Sequence, residues 1–171
     1  MTPEQESDFE EYVAAQSKRL CRFAYLCCAD WHQAEDVVQT ALIRLYGAWA
    51  RSTRSSVDAY VRKIIVNALI DERRLFRFRR EQTRDELPEN PQRPAGLPEE
   101  RVVLIDALLR LPKRQRAAVV LRYWEDLPGE QVARVLGCSN GAARNLTMRG
   151  LAGLRELLSA EALELFEGVP S

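Results

Sequence analysis

Apolar residues recur every three to four positions through most of this chain, which is the spacing of a helix that buries one face. The pattern predicts helices over residues 7–28, 31–49 and about 57–80, and no stretch stands out as a strand. A second group of apolar stripes begins at residue 99 and continues toward residue 157. We therefore expect an all-α fold: an N-terminal bundle of three to four helices followed by a second helical unit.

The segment 85–98 separates these two groups, because it contains four of the eight prolines. Proline interrupts helices and cannot pair in the middle of a sheet. Fully extended, this segment could span roughly 45–50 Å. The sequence therefore predicts one small domain at 1–84, a Pro-rich linker at 85–98, a second small domain at 99–158 and an acidic tail at 159–171.

Residues 128–155 have the pattern of a DNA-binding helix-turn-helix. Gly137 can adopt the left-handed backbone that ends a short apolar helix, and Ser139 can cap the helix that follows. Small residues at 141–143 let the two helices approach closely. The side chains expected to face outward, toward the bases and phosphates of a major groove, are Arg144, Asn145, Met148 and Arg149. A corner of a helical bundle with surface arginines is the alternative interpretation.

Charge is balanced over the whole chain but unevenly placed. With 25 Lys and Arg against 25 Asp and Glu, the protein has no uniformly basic surface. Residues 1–50 carry eight acids and four bases, whereas 73–84 carry six arginines and one glutamate. This basic stretch, with Phe76 and Phe78, would suit phosphate contact and base stacking on single-stranded DNA. The alternative is a solvated helix face.

Other classes of protein find little support in the sequence. No apolar run approaches the roughly 18 residues of a membrane span, and the acidic start does not have the pattern of a secretory signal. We therefore expect a cytoplasmic protein with no membrane insertion. One histidine, no glycine-rich phosphate loop and no hydrolase elbow leave little catalytic machinery, so we do not expect an enzyme.

The four cysteines lack the spacing of a disulfide framework, which favours reduced thiols. Cys21, Cys28 and His32 could share a face and bind a metal only if one helix ran through all three. Asp30 and Gln33 instead have the pattern of a new helix start. Structural cysteines are the favoured interpretation, and we expect no metal and no other cofactor.

Three further segments carry a resemblance to a known family. They are AEDVVQTALIRLY at 34–46, AYVRKIIVNALID at 59–71 and LPKRQRAAVVLRYWEDL at 111–127. In this order, with a proline-rich linker and a helix-turn-helix, the chain resembles bacterial extracytoplasmic-function (ECF) sigma factors of the sigma-70 superfamily. The resemblance covers about residues 7–157, and the recognition helix looks most like the SigE-like subgroup.

The resemblance implies a subunit that binds RNA polymerase core and directs promoter recognition, DNA melting and transcription initiation. The second helix would dock on the clamp helices of the beta-prime subunit through Asp36, Gln39, Thr40 and Arg44. The N-terminal domain would recognise and melt the −10 element as single-stranded DNA through Arg51, Ser52, Arg54, Ser55, Arg62, Lys63, Asn67, Arg73 and Arg74. The C-terminal domain would read the −35 element as duplex through Ser139, Asn140, Arg144, Asn145, Met148 and Arg149. Further partners implied are the beta flap and an anti-sigma factor.

The sequence departs from the family pattern at several positions. Pro128 stands where the family usually has a capping serine, and Leu146 stands where a polar residue is common. We expect Gly150 and Gly153 to loosen the end of the recognition helix. The competing hypothesis is a free-standing helix-turn-helix regulator, whose N-terminal bundle would serve as a dimerisation or effector module. Such a regulator would bind duplex DNA without polymerase.

Overall fold

A computed structural model describes residues 1–70 and 98–158. Every regular element within these two ranges is helical, which confirms the all-α class. The α-helices are α1 (Pro3–Cys28), α2 (Trp31–Ala48), α3 (Arg54–Ile70), α4 (Glu99–Arg110), α5 (Lys113–Val119), α6 (Gly129–Leu136) and α7 (Asn140–Leu157). A 3-10 segment at Trp49–Arg51 precedes α3, and a π-helical turn at Val120–Trp124 follows α5.

Side-chain caps fix where the first two helices begin. Helix α1 starts earlier than predicted, because the Thr2 hydroxyl accepts a hydrogen bond from the Gln5 amide at 3.2 Å and the Gln5 side chain accepts one from the Thr2 amide at 2.9 Å. Helix α1 ends at Ala29, which has a left-handed φ of 55°. Asp30 then caps α2 by accepting from the Gln33 amide at 3.2 Å. The predicted break at Asp30 is therefore confirmed.

The third helix begins three residues before its predicted start. The interval 50–56, between the predicted second and third helices, contains the end of the 3-10 segment and the first turn of α3. Thr53 stabilises this start, because its amide donates to the Ser56 hydroxyl at 3.2 Å and its carbonyl accepts from the Ser56 amide at 2.9 Å. The predicted continuation of this helix to residue 80 lies outside the described residues.

Helices α1, α2 and α3 pack around large side chains that are fully buried, including Phe23, Leu45 and Ile65. Burial of such apolar side chains is the main contribution to the stability of these three packed helices. Near the start of α1, the Phe9 ring makes edge contacts with Tyr46 and Trp49, with centroids 5.1 Å and 5.3 Å away. These contacts fix the start of α1 on the end of α2.

Two of the three glycines of α7, Gly150 and Gly153, lie where other parts of the chain come closest. A Cβ built on Gly150 would lie 2.5 Å from Cγ2 of Val119 and 2.9 Å from the Gln115 carbonyl oxygen. A Cβ on Gly153 would lie 2.7 Å from Cδ2 of Leu111. The expectation that these glycines loosen the end of α7 is wrong, because the helix continues unbroken to Leu157 and uses them for close packing.

The N-terminal and C-terminal helices share one hydrophobic core instead of standing apart. Helix α3 packs against α6, and α1 packs against α4 and α5. Since the sequence predicts two separate domains, this close association is the main architectural feature that the periodicity did not reveal. The linker at 85–98 lies outside the described residues except for Pro98, so the domain boundaries remain a prediction.

Candidate nucleic-acid interface

The helix-turn-helix forms as its local sequence indicates. Gly137 ends α6 with φ 65° and ψ 40°, the left-handed conformation that glycine adopts without strain. The Ser139 hydroxyl accepts a hydrogen bond from the Ala142 amide at 3.1 Å and caps α7. Pro128 offers no side-chain cap to α6, and its main-chain carbonyl accepts from the Val132 amide instead. The predicted turn and cap are therefore confirmed.

Close contact between α6 and α7 comes from Ala143, which is buried. Gly141 has open space beside it, so it does not take part in this approach. Leu146 packs against the hydrophobic core, which explains an apolar residue at a position where a polar one is common in the family.

The outer face of α7 presents a continuous row of exposed side chains. Arg144, Asn145, Met148 and Arg149 are all exposed, with Met148 at 62%. Asn140 is exposed at the start of the same helix. This side of the helix carries two guanidinium groups and one carboxamide. These groups can donate hydrogen bonds to the acceptor atoms on guanine and adenine edges. The structure therefore brings these predicted residues together.

Arg122 is a further cation that the sequence analysis missed. It borders a groove that also contains Tyr123, Asn140, Arg144 and Met148. Its guanidinium carbon lies 5.7 Å from the centre of the Tyr123 ring. A basic residue next to an aromatic one, just before the helix-turn-helix, is the signal in the sequence that could have indicated it.

The outer face of α2 is accessible and combines polar with apolar side chains. Gln39, Thr40 and Arg44 are exposed, and Asp36 is half-buried. Ile43 lies among them with 72% of its surface exposed. Tyr46 follows at 45%. Ile43 and Tyr46, three residues apart on α2 and bordered by polar groups, together form an exposed apolar patch of the kind found at protein-binding surfaces. The predicted dock combines named polar residues with neighbouring apolar ones, and Ile43 is the most exposed of those apolar neighbours.

The 3-10 segment and the first turn of α3 present two of the predicted cations to solvent. Arg51, Arg54 and Ser55 are exposed, whereas Ser52 is half-buried and donates its hydroxyl to the Ala48 carbonyl at 2.8 Å. Farther along α3, Lys63 is exposed and Asn67 is half-buried. Arg73 and Arg74 lie outside the described residues.

Arg62 is the exception within this predicted set. As a predicted −10 contact, Arg62 was expected on an outer face of the third helix, and this expectation is wrong, because only 6% of the residue is exposed. Its Nη2 atom donates to Oε2 of Glu125 at 2.8 Å. Arg19 adds a second contact to the same oxygen at 3.2 Å. In this conformation Arg62 is therefore not accessible to DNA.

A second buried arginine joins the two helical groups. Arg116 donates to the main-chain oxygens of Leu108 at 2.7 Å and of Leu109 and Leu111 at 3.0 Å each. It also donates to the Cys27 oxygen at 2.6 Å. Burial lowers the pKa of the Arg116 side chain, because the charged form loses hydration. These acceptors lie at the ends of α1 and α4 and in the turn after α4, where helix carbonyls run out of main-chain partners; the Leu108 carbonyl also accepts from the Leu111 amide at 3.1 Å.

The three thiols of α1 have pKa values raised above the ordinary range of cysteine. Burial raises the pKa of the Cys28 thiol to about 12 and also raises the pKa of the Cys27 and Cys21 thiols. In residues 1–70 and 98–158, no three side chains of the His, Cys, Asp and Glu types come together as a metal site. Cys27 lies in the hydrophobic core, and Cys21, Cys28 and Cys138 pack against it.

Two protein families and several known proteins match this chain. The family described as Sigma-70 region 2 matches residues 12–82, and the family described as Sigma-70, region 4 matches residues 101–154. The RNA polymerase sigma-E factor of Streptomyces coelicolor is 37% identical over 159 residues, covering 92% of this chain and 89% of that protein. The sigma-E factor of Streptomyces avermitilis is 35% identical, with coverage of 92% and 88%.

A solved structure agrees with the fold. The sigma factor RpoE from Bartonella quintana, crystallised in complex with the anti-sigma factor NepR, superimposes with a TM-score of 0.73 at 23% identity and covers 90% of this chain and 98% of that one. The chain belongs to the extracytoplasmic-function sigma factors of the sigma-70 family, which bind RNA polymerase core and promoter DNA to initiate transcription. Within the described residues, no helix is both long and apolar enough to cross a membrane.

Proposed function

We propose that this sigma factor docks on RNA polymerase core through the outer face of α2 and reads the −35 element with the outer face of α7. The observation that carries the proposal is that both faces are exposed together, while the apolar sides of the same helices are buried in the core. Ile43 joins Asp36, Gln39, Thr40 and Arg44 as a docking residue. Its exposed side chain supplies apolar area that a protein partner would remove from water.

The −10 contacts belong to the segment before α3 and to α3 itself. Arg51, Arg54 and Lys63 are exposed cations suited to the phosphates of a separated strand. Ser52, Ser55 and Asn67 would supply neutral hydrogen-bonding groups near them. Arg73 and Arg74 extend the proposed set on the basis of sequence alone, and Arg62 joins it only after its contact with Glu125 breaks.

The remaining assignments follow from the family and from the chain's composition. We assign residues 1–84 to polymerase docking and −10 melting, 85–98 to a linker that follows the RNA-exit path, and 99–158 to −35 recognition. The protein acts in the cytoplasm without catalysis of its own. The RpoE structure contains the anti-sigma factor NepR, which supports a partner of that kind for this chain.

A binding experiment on α2 tests the docking surface. The double variant Gln39→Ala, Arg44→Ala and the single variant Ile43→Ser should each bind purified polymerase core about tenfold more weakly than the unchanged protein, since truncation at the centre of an interface has effects of this size. Lys18→Ala, an exposed change on α1, is the matched control and should bind normally. Circular dichroism verifies folding. Unchanged affinity in both α2 variants would show that this face is not the dock.

A further inference from the structure

The carboxylate of Glu125 projects from an unusual turn. Glu125 follows the π-helical turn Val120–Trp124, and its amide donates to the Val120 carbonyl at 3.0 Å. The next residue, Asp126, has a left-handed φ of 54°, which is strained for a residue other than glycine. This backbone places the Glu125 side chain against α1 and α3, away from the recognition face of α7.

The partners of Glu125 come from the other half of the chain. Arg62 lies on α3 and Arg19 lies on α1, within the region 2 match, whereas Glu125 lies within the region 4 match. The side chains of Glu125 and Arg62 are only 1% and 7% exposed. Charges this deeply buried are stable only while paired. The three residues, here called the Glu125 bridge, are therefore coupled to the contact between the two halves.

This contact conflicts with the spacing of a promoter. Elements centred about 25 base pairs apart are separated by roughly 85 Å of duplex, at 3.4 Å per base pair. A compact chain of 171 residues is only about 40 Å across. The halves must therefore separate before both elements are bound. Separation exposes Arg62 on α3, one residue before the exposed Lys63.

We propose that the Glu125 bridge holds the free protein closed, and that opening transfers Arg62 from the Glu125 carboxylate to a phosphate of the −10 strand. Only the transfer of Arg62 to a phosphate rests on the proposed function, because the closed state is a property of the free chain. Nε of Arg62 is buried with no hydrogen-bond acceptor among the described residues, so the closed state leaves one donor that a phosphate could satisfy. The bridge thus opposes binding to core until polymerase separates the halves.

Small-angle X-ray scattering of the free full-length protein tests the closed state. The unchanged protein should be compact, and Glu125→Gln should increase the radius of gyration by about 5 Å or more as the halves separate. Glu130→Gln, an exposed change on α6, is the matched control and should leave the scattering profile unchanged. Helix content should be the same in all three, because separation relieves the unpaired buried charge. Equal compactness of Glu125→Gln and the unchanged protein would overturn the proposal.

Binding to core provides the second measurement. If closure reduces the binding-competent fraction, Glu125→Gln should bind core several-fold to tenfold more tightly than the unchanged protein. Arg19→Gln removes a partly exposed member of the bridge and should give a smaller increase. If Glu125→Gln loses helix content, the affinity of Arg19→Gln for core decides whether the bridge opposes binding. Identical affinity in folded bridge variants and the unchanged protein would contradict the bridge. If no variant binds core, the proposed function fails, and the scattering result still decides whether the bridge closes the free chain.

Discussion

The guanidinium of Arg116 donates a hydrogen bond to the main-chain oxygen of Cys27 at 2.6 Å, although the two residues lie 89 positions apart. Three carbonyls from the end of α4 and the following turn bind the same side chain. One buried cation therefore joins the C-terminal end of α1 to the connection between α4 and α5. Helix C-termini favour cations, since their last carbonyls carry partial negative charge.

Replacing Arg116 with methionine should destabilise the protein strongly. The change keeps apolar bulk but leaves several carbonyls without a donor, and hydrogen bonds to charged groups contribute about 1.5–3 kcal/mol each. We expect the free energy of unfolding to fall by roughly 3 kcal/mol in chemical denaturation. Arg110→Met, at an exposed position on α4, should change it by less than about 0.5 kcal/mol. A similar small effect at both positions would contradict the role assigned to Arg116.

Gly150→Ala should be destabilising even though alanine favours helices. Its methyl group would lie 2.5 Å from Cγ2 of Val119, so α5 and α7 must move apart. We expect a loss of about 1–3 kcal/mol, the usual effect of overpacking. Gly141→Ala on the same helix has open space and should be neutral or stabilising by up to about 1 kcal/mol. Thermal unfolding of the two variants measures the contrast, and equal midpoints would refute close packing at Gly150.

Arg144→Ala should weaken recognition of the −35 element. An exposed arginine on the outer face of α7 can contact a guanine edge, and loss of such a contact has an effect of about 1–3 kcal/mol on binding. The measurement is holoenzyme binding to a promoter and to versions mutated base by base at the −35 element. We expect discrimination to relax at one base position. Uniform weakening at every position would instead identify Arg144 as a phosphate contact.

Local signals in the sequence were enough to predict several elements of this fold. Asp30, Gly137 and Ser139 act within three or four residues of themselves, so their roles as caps and turn can be predicted without knowledge of the tertiary structure. The row of exposed side chains on α7 follows from helical spacing in the same way. These features place the recognition helix and the end of α1 correctly.

Long-range pairing could not be predicted in this way. Arg62 lies four and seven residues before the buried Val66 and Leu69, a spacing compatible with the inward position that the prediction of a DNA contact overlooked. Nothing nearby in the sequence identifies Glu125 as its partner. Gly150 was likewise predicted to weaken its helix. The contact that requires a glycine there comes from Val119 on another helix, so the sequence around Gly150 could not reveal it. Periodicity identifies the buried face of each helix but does not specify which other element covers it.

The thiols of Cys27 and Cys28 should resist alkylation in the folded protein at mildly alkaline pH. Burial raises the pKa of Cys28 to about 12, against an ordinary value of about 8.5, so little reactive thiolate forms. The folded state holds this proton more tightly than the unfolded chain does. The contribution of the protonated Cys28 thiol to the free energy of unfolding is therefore complete below about pH 8.5 and is lost as pH rises toward 12.

Mass spectrometry after brief iodoacetamide treatment measures this protection. Cys138, half-buried in the turn before α7, serves as the internal reference and should be labelled first. Both protected thiols should become reactive in denaturant. Labelling of Cys27, the fully buried thiol, as fast as Cys138 in the folded protein would contradict this protection.

Transcription from a genomic promoter library with purified polymerase core tests the central claim most directly. If the protein is a sigma factor, discrete transcript starts should depend on it and share two spaced upstream elements, with the distal element altered or lost for Arg144→Ala. Absence of such starts, together with sequence-specific binding of the protein alone to duplex DNA, would contradict the account and identify a free-standing helix-turn-helix regulator.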